Sequence, residues 1–220
     1  MACVIIFAEG NPMSDTYVYS ITQENPETIY INLTNKCTNN CVFCIRNLSR
    51  PIKGKDLWIE NEDVTLDKIK SQLEKYSKYK EVVFCGYGEP TIKLDLLKDV
   101  AKYLKSKDSS IKIRINTNGQ GNLINKKNII PELKNIIDEI SVSLNASNNT
   151  DYMQISGCKN EIAYENVKDF IKQSVEGGFD TTATVVTGYK DYKINVEECE
   201  KITKQAGAKF KIREWLDKGY

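Results

Sequence analysis

The feature that most constrains this chain is a series of short strands, each apolar on one face and polar on the other, separated by helix-period segments. Ile111, Ile113 and Ile115 alternate with Lys112, Arg114 and Asn116. Ile140, Val142 and Leu144 alternate with Ser141, Ser143 and Asn145, and Ile29, Ile31 and Leu33 with Tyr30, Asn32 and Thr34. Strands are expected near 28–34, 81–85, 111–116, 139–145, 181–187 and 208–213. Between them run stripes of helical spacing: Leu66, Ile69, Leu73 and Tyr76, then Leu94, Leu97, Val100, Ala101 and Leu104. Further helices are expected near 129–138, 161–175 and 196–206, the last opening with Asn195 and Glu198 at capping-box spacing. Strands joined by helical crossovers form a parallel sheet. An open sheet covered on both faces would have continuously apolar strands. Alternation instead implies one face against helices and one around a polar lumen. The fold expected is α/β: a partial (β/α)6 barrel of the TIM type with parallel strands.

Ahead of it, Val4 to Phe7 and Thr16 to Ile21 flank the turn-rich Gly10 to Asp15 and read as an N-terminal β-hairpin. One domain over 1–220 is expected, with a hairpin extension over 1–27 and a barrel core over 28–213. With 40% hydrophobic and 28% charged residues, the composition can supply a sizeable core. A formal net charge of +1 argues against a nucleic-acid or membrane-surface footprint. No apolar run reaches the roughly 18 residues of a membrane span. The start lacks the basic region of a signal peptide, so a cytoplasmic location is expected.

Seven cysteines are many for a reducing compartment, and an odd number disfavours a disulfide framework. Cys3, Cys85, Cys158 and Cys199 are scattered and read as small buried hydrophobes. Cys37, Cys41 and Cys44 instead crowd into eight residues at the C-terminal end of the first barrel strand, where α/β folds place their active sites. Three thiolates can hold three irons of a cubane and leave the fourth iron open, whereas electron-transfer clusters use four cysteines. Zinc lacks a fourth ligand here. The chain has no histidine, and no second close cysteine pair occurs. The same lack removes the commonest general base.

This spacing, with Phe43 before the last cysteine, resembles the signature of the radical S-adenosylmethionine (SAM) superfamily. Gly86-Tyr87-Gly88-Glu89-Pro90, Asn116-Thr117-Asn118-Gly119 and Ser143-Leu144-Asn145-Ala146 follow successive strands in the order that family uses. The resemblance covers about residues 30–213. It implies a [4Fe–4S] cluster on Cys37, Cys41 and Cys44 that reductively cleaves S-adenosyl-L-methionine to methionine and a 5′-deoxyadenosyl radical. It also implies cofactor contacts from Gly86, Gly88, Glu89, Asn116, Thr117, Asn118, Ser143 and Asn145. The Phe43 backbone would lie near the adenine, and Val185 or Val186 would line its apolar face. Glu89, as an acceptor, suits the methionyl amine, and the glycines would let backbone approach the ligand.

Arg46 and Arg114 are candidates to grip an anionic group of substrate or cofactor. Arg46 and Arg50, with Lys53 and Lys55, read equally as a solvated loop. Within the superfamily the closest resemblance is to the TatD family-associated radical SAM proteins. Its carriers are Asn32 to Cys37, Cys44 to Asn47, Phe84 to Thr91, Arg114 to Gly119 and Ser141 to Ala146. That group implies no settled substrate. A one-electron donor such as flavodoxin or ferredoxin is implied, acting for a small-molecule or protein substrate. Other readings are an activase of a glycyl radical enzyme, a 7-carboxy-7-deazaguanine synthase-like enzyme, or a non-enzymatic iron–sulfur redox or sensor protein. The end at Tyr220 brings no cysteine-rich extension for auxiliary clusters.

Overall fold

The computed structural model describes residues 15–21, 26–48 and 57–215. It contains one seven-stranded sheet whose strands lie in sequence order. They are β1 (Val18–Tyr19), β2 (Thr28–Ile31), β3 (Glu81–Phe84), β4 (Lys112–Thr117), β5 (Glu139–Ser143), β6 (Asp180–Thr187) and β7 (Lys209–Glu214). Pairs from β2 to β7 are parallel, while β1 runs antiparallel to β2 with Val18 opposite Ile31. The sheet does not close, as a six-stranded partial barrel requires. The first strand of the expected hairpin, Val4 to Phe7, lies outside the described residues. Its second strand forms β1 and extends the barrel edge.

The helices are α1 (Leu66–Leu73), α2 (Leu94–Lys107), α3 (Gly121–Asn125), α4 (Ile130–Leu133), α5 (Asn149–Ser156), α6 (Ala163–Glu176) and α7 (Val196–Gln205). Single 3₁₀ turns add Ile45–Leu48 and Pro90–Lys93. Side-chain oxygens of Thr65, Asn148 and Asn195 cap α1, α5 and α7 by accepting backbone N–H groups three residues on. The helix expected over 129–138 shrinks to one turn, because Lys134 is already extended (ψ 138°) and Asn135 then turns left-handed (φ 68°). Two short helices, α3 and α5, went unanticipated.

Strand alternation holds as expected. On β4, Ile113, Ile115 and Thr117 are buried on the helix side, and Lys112, Arg114 and Asn116 face the other way. The whole α2 stripe, from Leu94 to Leu104, is buried against that apolar side. A core of this kind, covered by helices on the outside only, leaves the inner face of the sheet to polar residues and a ligand.

Candidate functional site

The cysteine loop leaves the C-terminal end of β2 and is fastened at its back. Asn40 and Val42 donate their N–H groups to Ser156 and Ile155 at the end of α5 (2.7 and 3.0 Å), and Cys44 donates to the Cys41 carbonyl (2.9 Å). Arg46 closes the near side, its guanidinium donating to the Asn35 carbonyl at 2.7 Å and the Asn39 carbonyl at 3.4 Å. Arg46 therefore grips its own loop through both terminal nitrogens. Its charge opposes the rise of the Cys37 and Cys41 thiols, which burial pushes up to about 11 and about 12. Loading these positions with iron must release their protons. The Cys37 sulfur also receives the Asn39 N–H at 3.4 Å and the Asn118 side-chain amide at 3.8 Å.

Among the described residues, no three His, Cys, Asp or Glu side chains converge as a site for a single metal ion. That is no obstacle to a cubane, in which each thiolate takes a different iron.

Glu89 lies beneath the loop, with only 2% of its surface exposed. Its Oε1 accepts from Thr91 N–H (3.1 Å), Thr91 hydroxyl (2.6 Å) and Thr117 hydroxyl (2.7 Å), and its Oε2 accepts from Asn118 N–H (2.7 Å). Burial raises its pKa, and the four donors offset part of that rise. Asn118 completes the link, donating its amide to the Thr38 hydroxyl at 2.8 Å. Thr117 belongs to the apolar side of β4 and spends its hydroxyl on Glu89, so its contact is internal.

The glycines are required by the chain's own packing. A Cβ at Gly88 would strike the Thr34 and Lys36 carbonyls, and one at Gly86 the Asn32 side chain. The close approach expected to serve a ligand is made by backbone of the loop, where Glu89 N–H meets the Lys36 carbonyl at 2.8 Å.

The strand-end residues sit at the same end of the sheet. Asn145 is 3% exposed, takes a left-handed backbone (φ 60°), and its Oδ1 has no hydrogen-bond partner. A buried acceptor in that condition marks a position built for something else to donate to it. Ser143 pairs with Thr184 across β5 and β6 on the lumen side. Val185 is fully buried in the helix-side core with Ala183. The residue of β6 with lumen parity is Val186, opposite Arg213. Phe43 packs on the core and meets Tyr189 edge-on, with ring centroids 6.1 Å apart.

Arg114, unlike Arg46, lines a lumen cavity of about 390 Å³. The cavity wall reaches Ile45, next to Cys44, and Gly86, at the head of the Glu89 segment. Arg50, Lys53 and Lys55 lie outside the described residues. Cys85 faces the lumen, whereas Cys158 and Cys199 are buried.

Three residues went unmarked in the sequence. Gln120 is 2% exposed and donates its amide to Asn39 Oδ1 (2.7 Å) and to the Tyr152 hydroxyl (2.9 Å), joining the β4 end, the cysteine loop and α5. Only its position after Asn116 to Gly119 hinted at this. Asn39 and Tyr152 carried no signal of their own.

A cysteine loop, a buried glutamate segment and polar strand ends share one end of a partial barrel. The radical SAM family model matches residues 31–206. The chain belongs to the radical SAM superfamily. Members are enzymes that use SAM and an iron–sulfur cluster. Over an alignment of 231 positions that covers 90% of this chain, it is 25% identical to the dual-specificity RNA methyltransferase RlmN of Buchnera aphidicola subsp. Schizaphis graminum. It spans 59% of that relative. Among solved structures it resembles Streptococcus suis SuiB bound to precursor peptide SuiA, with TM-score 0.65, 18% identity, and coverage of 87% of this chain and 40% of that one. It also resembles a radical SAM methyltransferase from Sphaerobacter thermophilus, with TM-score 0.57, 14% identity, and coverage of 88% and 67%. At these identities the structural likeness concerns the radical SAM fold. Among the described residues, no helix is long and apolar enough to cross a membrane.

Proposed function

We propose that this chain is a radical SAM enzyme acting on a small molecule held in the lumen, with Cys37, Cys41 and Cys44 as the ligands of a [4Fe–4S] cluster. When bound, the cluster supplies the electron that cleaves SAM to methionine and a 5′-deoxyadenosyl radical, which takes a hydrogen atom from the substrate. The observation that carries the reading is continuity: one cavity wall runs from Ile45, beside Cys44, and Gly86 down to Arg114. A radical made at the loop would meet its target without crossing solvent.

The chain's own residues divide the work. Arg46 and Asn118 hold the loop and steady the charge of its sulfurs. Glu89 fixes Asn118, and its Oε2 accepts one bond, which leaves capacity for the methionyl amine. Asn145 Oδ1, with Ser143 on the lumen side, would serve the ribose and the carboxylate. Backbone at Phe43 and the side chain of Val186 would flank the adenine.

The finer assignments belong to the same proposal. They are a single domain with an edge hairpin, kinship with the TatD family-associated group, a flavodoxin or ferredoxin as electron donor, and a cytoplasmic location. A cavity of this size supports a small-molecule substrate over a glycyl radical enzyme, whose activase would need no such space. The test is anaerobic reconstitution, reduction with dithionite and product analysis. Methionine and 5′-deoxyadenosine are expected, and their absence from a fully loaded protein overturns the proposal.

A further inference from the structure

Two buried polar atoms of the lumen wall lack partners, and they are neighbours. Arg114 Nε and Asn116 Oδ1 are both shielded from solvent without a hydrogen bond. They lie two residues apart on the lumen face of β4 and line the same cavity. One is a donor carrying positive charge and the other an acceptor. A buried group left unmade costs about 1–3 kcal/mol, so two adjacent ones of opposite kind describe the complement of a ligand.

Charge around them agrees. Arg213 and Lys211 of β7 line this cavity, and the guanidiniums of Arg114 and Arg213 both oppose the burial-driven rise of the Tyr30 phenol and the Cys85 thiol. Two guanidiniums from strands three places apart in the sheet therefore converge on one wall. Two of the acids near them are already paired. Glu81 pairs with Arg114 through Nη2 at 3.2 Å, which leaves Nε unengaged, and Asp180 pairs with Lys209 at 2.6 Å. Glu139, the register partner of Arg114 at the start of β5, also lines the cavity.

From this we infer that the lumen ligand is a small anion, a carboxylate or a phosphate, that carries an N–H or O–H donor beside its charged group. The anion sits between Arg114 and Arg213, and the donor reaches Asn116 Oδ1. The inference rests on the proposed lumen substrate and adds its chemical class. With Asn116 committed to the lumen ligand, the cofactor is left to Ser143 and Asn145.

Equilibrium dialysis of the reconstituted full-length protein tests it with 2-aminobenzoate, a fluorescent carboxylate with an adjacent N–H. Benzoate lacks the donor, aniline lacks the anion, and phenyl phosphate and inorganic phosphate replace the carboxylate. Binding is expected in the order 2-aminobenzoate, benzoate, aniline. Arg114→Gln and Arg213→Gln should each weaken the anion roughly tenfold or more, and Asn116→Ala should erase the advantage of 2-aminobenzoate over benzoate. Phosphates that outbind carboxylates assign the anion as phosphate. Arg213→Gln, at the sheet edge, keeps the test alive should Arg114→Gln fail to fold.

The inference is overturned if aniline binds as tightly as 2-aminobenzoate, if both arginine variants bind like the parent, or if no anion binds at millimolar concentration. Cofactor cleavage is read separately on the same samples. Arginine-dependent binding without methionine formation would sink the proposed reaction and leave this site standing. Methionine formation with arginine-independent binding would do the reverse.

Discussion

Glu89 Oε2 accepts the backbone N–H of Asn118 at 2.7 Å, and through Asn118 this buried carboxylate reaches Thr38 and the Cys37 sulfur. The residue that reads as a cofactor ligand in sequence is also the keystone of the loop that carries the cysteines.

Glu89→Gln should therefore act before any cofactor binds. An amide offers one acceptor oxygen where four donors converge, and it brings two donors of its own. A loss of about 2–3 kcal/mol in urea unfolding is expected, together with reduced iron retention. Unchanged stability with defective cofactor binding would instead make Glu89 a ligand contact alone.

Gly88→Ala should cost at least ~3 kcal/mol, because the new methyl meets two backbone carbonyls that cannot swing aside. Gly178→Ala is the control: its φ of 86° strains an alanine, but nothing lies within 4 Å of the added atom. Thermal unfolding should show the Gly88 variant far the worse.

Tyr152 gives a pH-dependent prediction. Burial lifts its phenol to about 12, while its oxygen accepts from Asn39 (3.3 Å) and Gln120 (2.9 Å). The folded value lies above the unfolded value of about 10. The stability this represents is thus complete below pH 10 and drains away as pH rises from about 10 to about 12. At pH 11 the loss is about 1 kcal/mol. Tyr152→Phe should remove that part of the alkaline decline in melts taken from pH 8 to 11. At neutral pH it should lower iron retention, since Gln120 and Asn39 lose their shared acceptor.

Asn145→Gly separates stability from function. Glycine relieves a left-handed backbone and deletes an unpartnered buried acceptor, so stability should hold or rise by ~1 kcal/mol. SAM binding by dialysis should weaken about tenfold. A clear loss of stability would show that Asn145 is a packing residue.

Much of the architecture was legible because period and composition are local. Strands β2, β4 and β5 announced their two faces, and the α2 stripe was read residue for residue. Helix 129–138 was over-extended, since apolar spacing through Ile129, Ile130 and Leu133 continues past the point where the backbone turns. Val185 and Val186 could not be told apart because threonines and apolar residues mingle from Thr181 to Thr187 and hide the strand's parity. Only pairing with β7 assigns Val186 to the lumen.

The sequence by itself determined the strands, the longer helices, their order and the three cysteines, because hydrophobic period and close spacing need no partner to be recognised. Tertiary structure alone decided what the polar residues face. Arg46 turns onto its own loop while Arg114 turns into the cavity, and Glu89 is tied by four donors from Thr91, Thr117 and Asn118. Gln120 joins three segments that lie up to 113 residues apart along the chain, Asn39 and Tyr152 among them. A polar side chain is satisfied by whichever partner the fold brings within hydrogen-bond reach, and that partner is not written beside it.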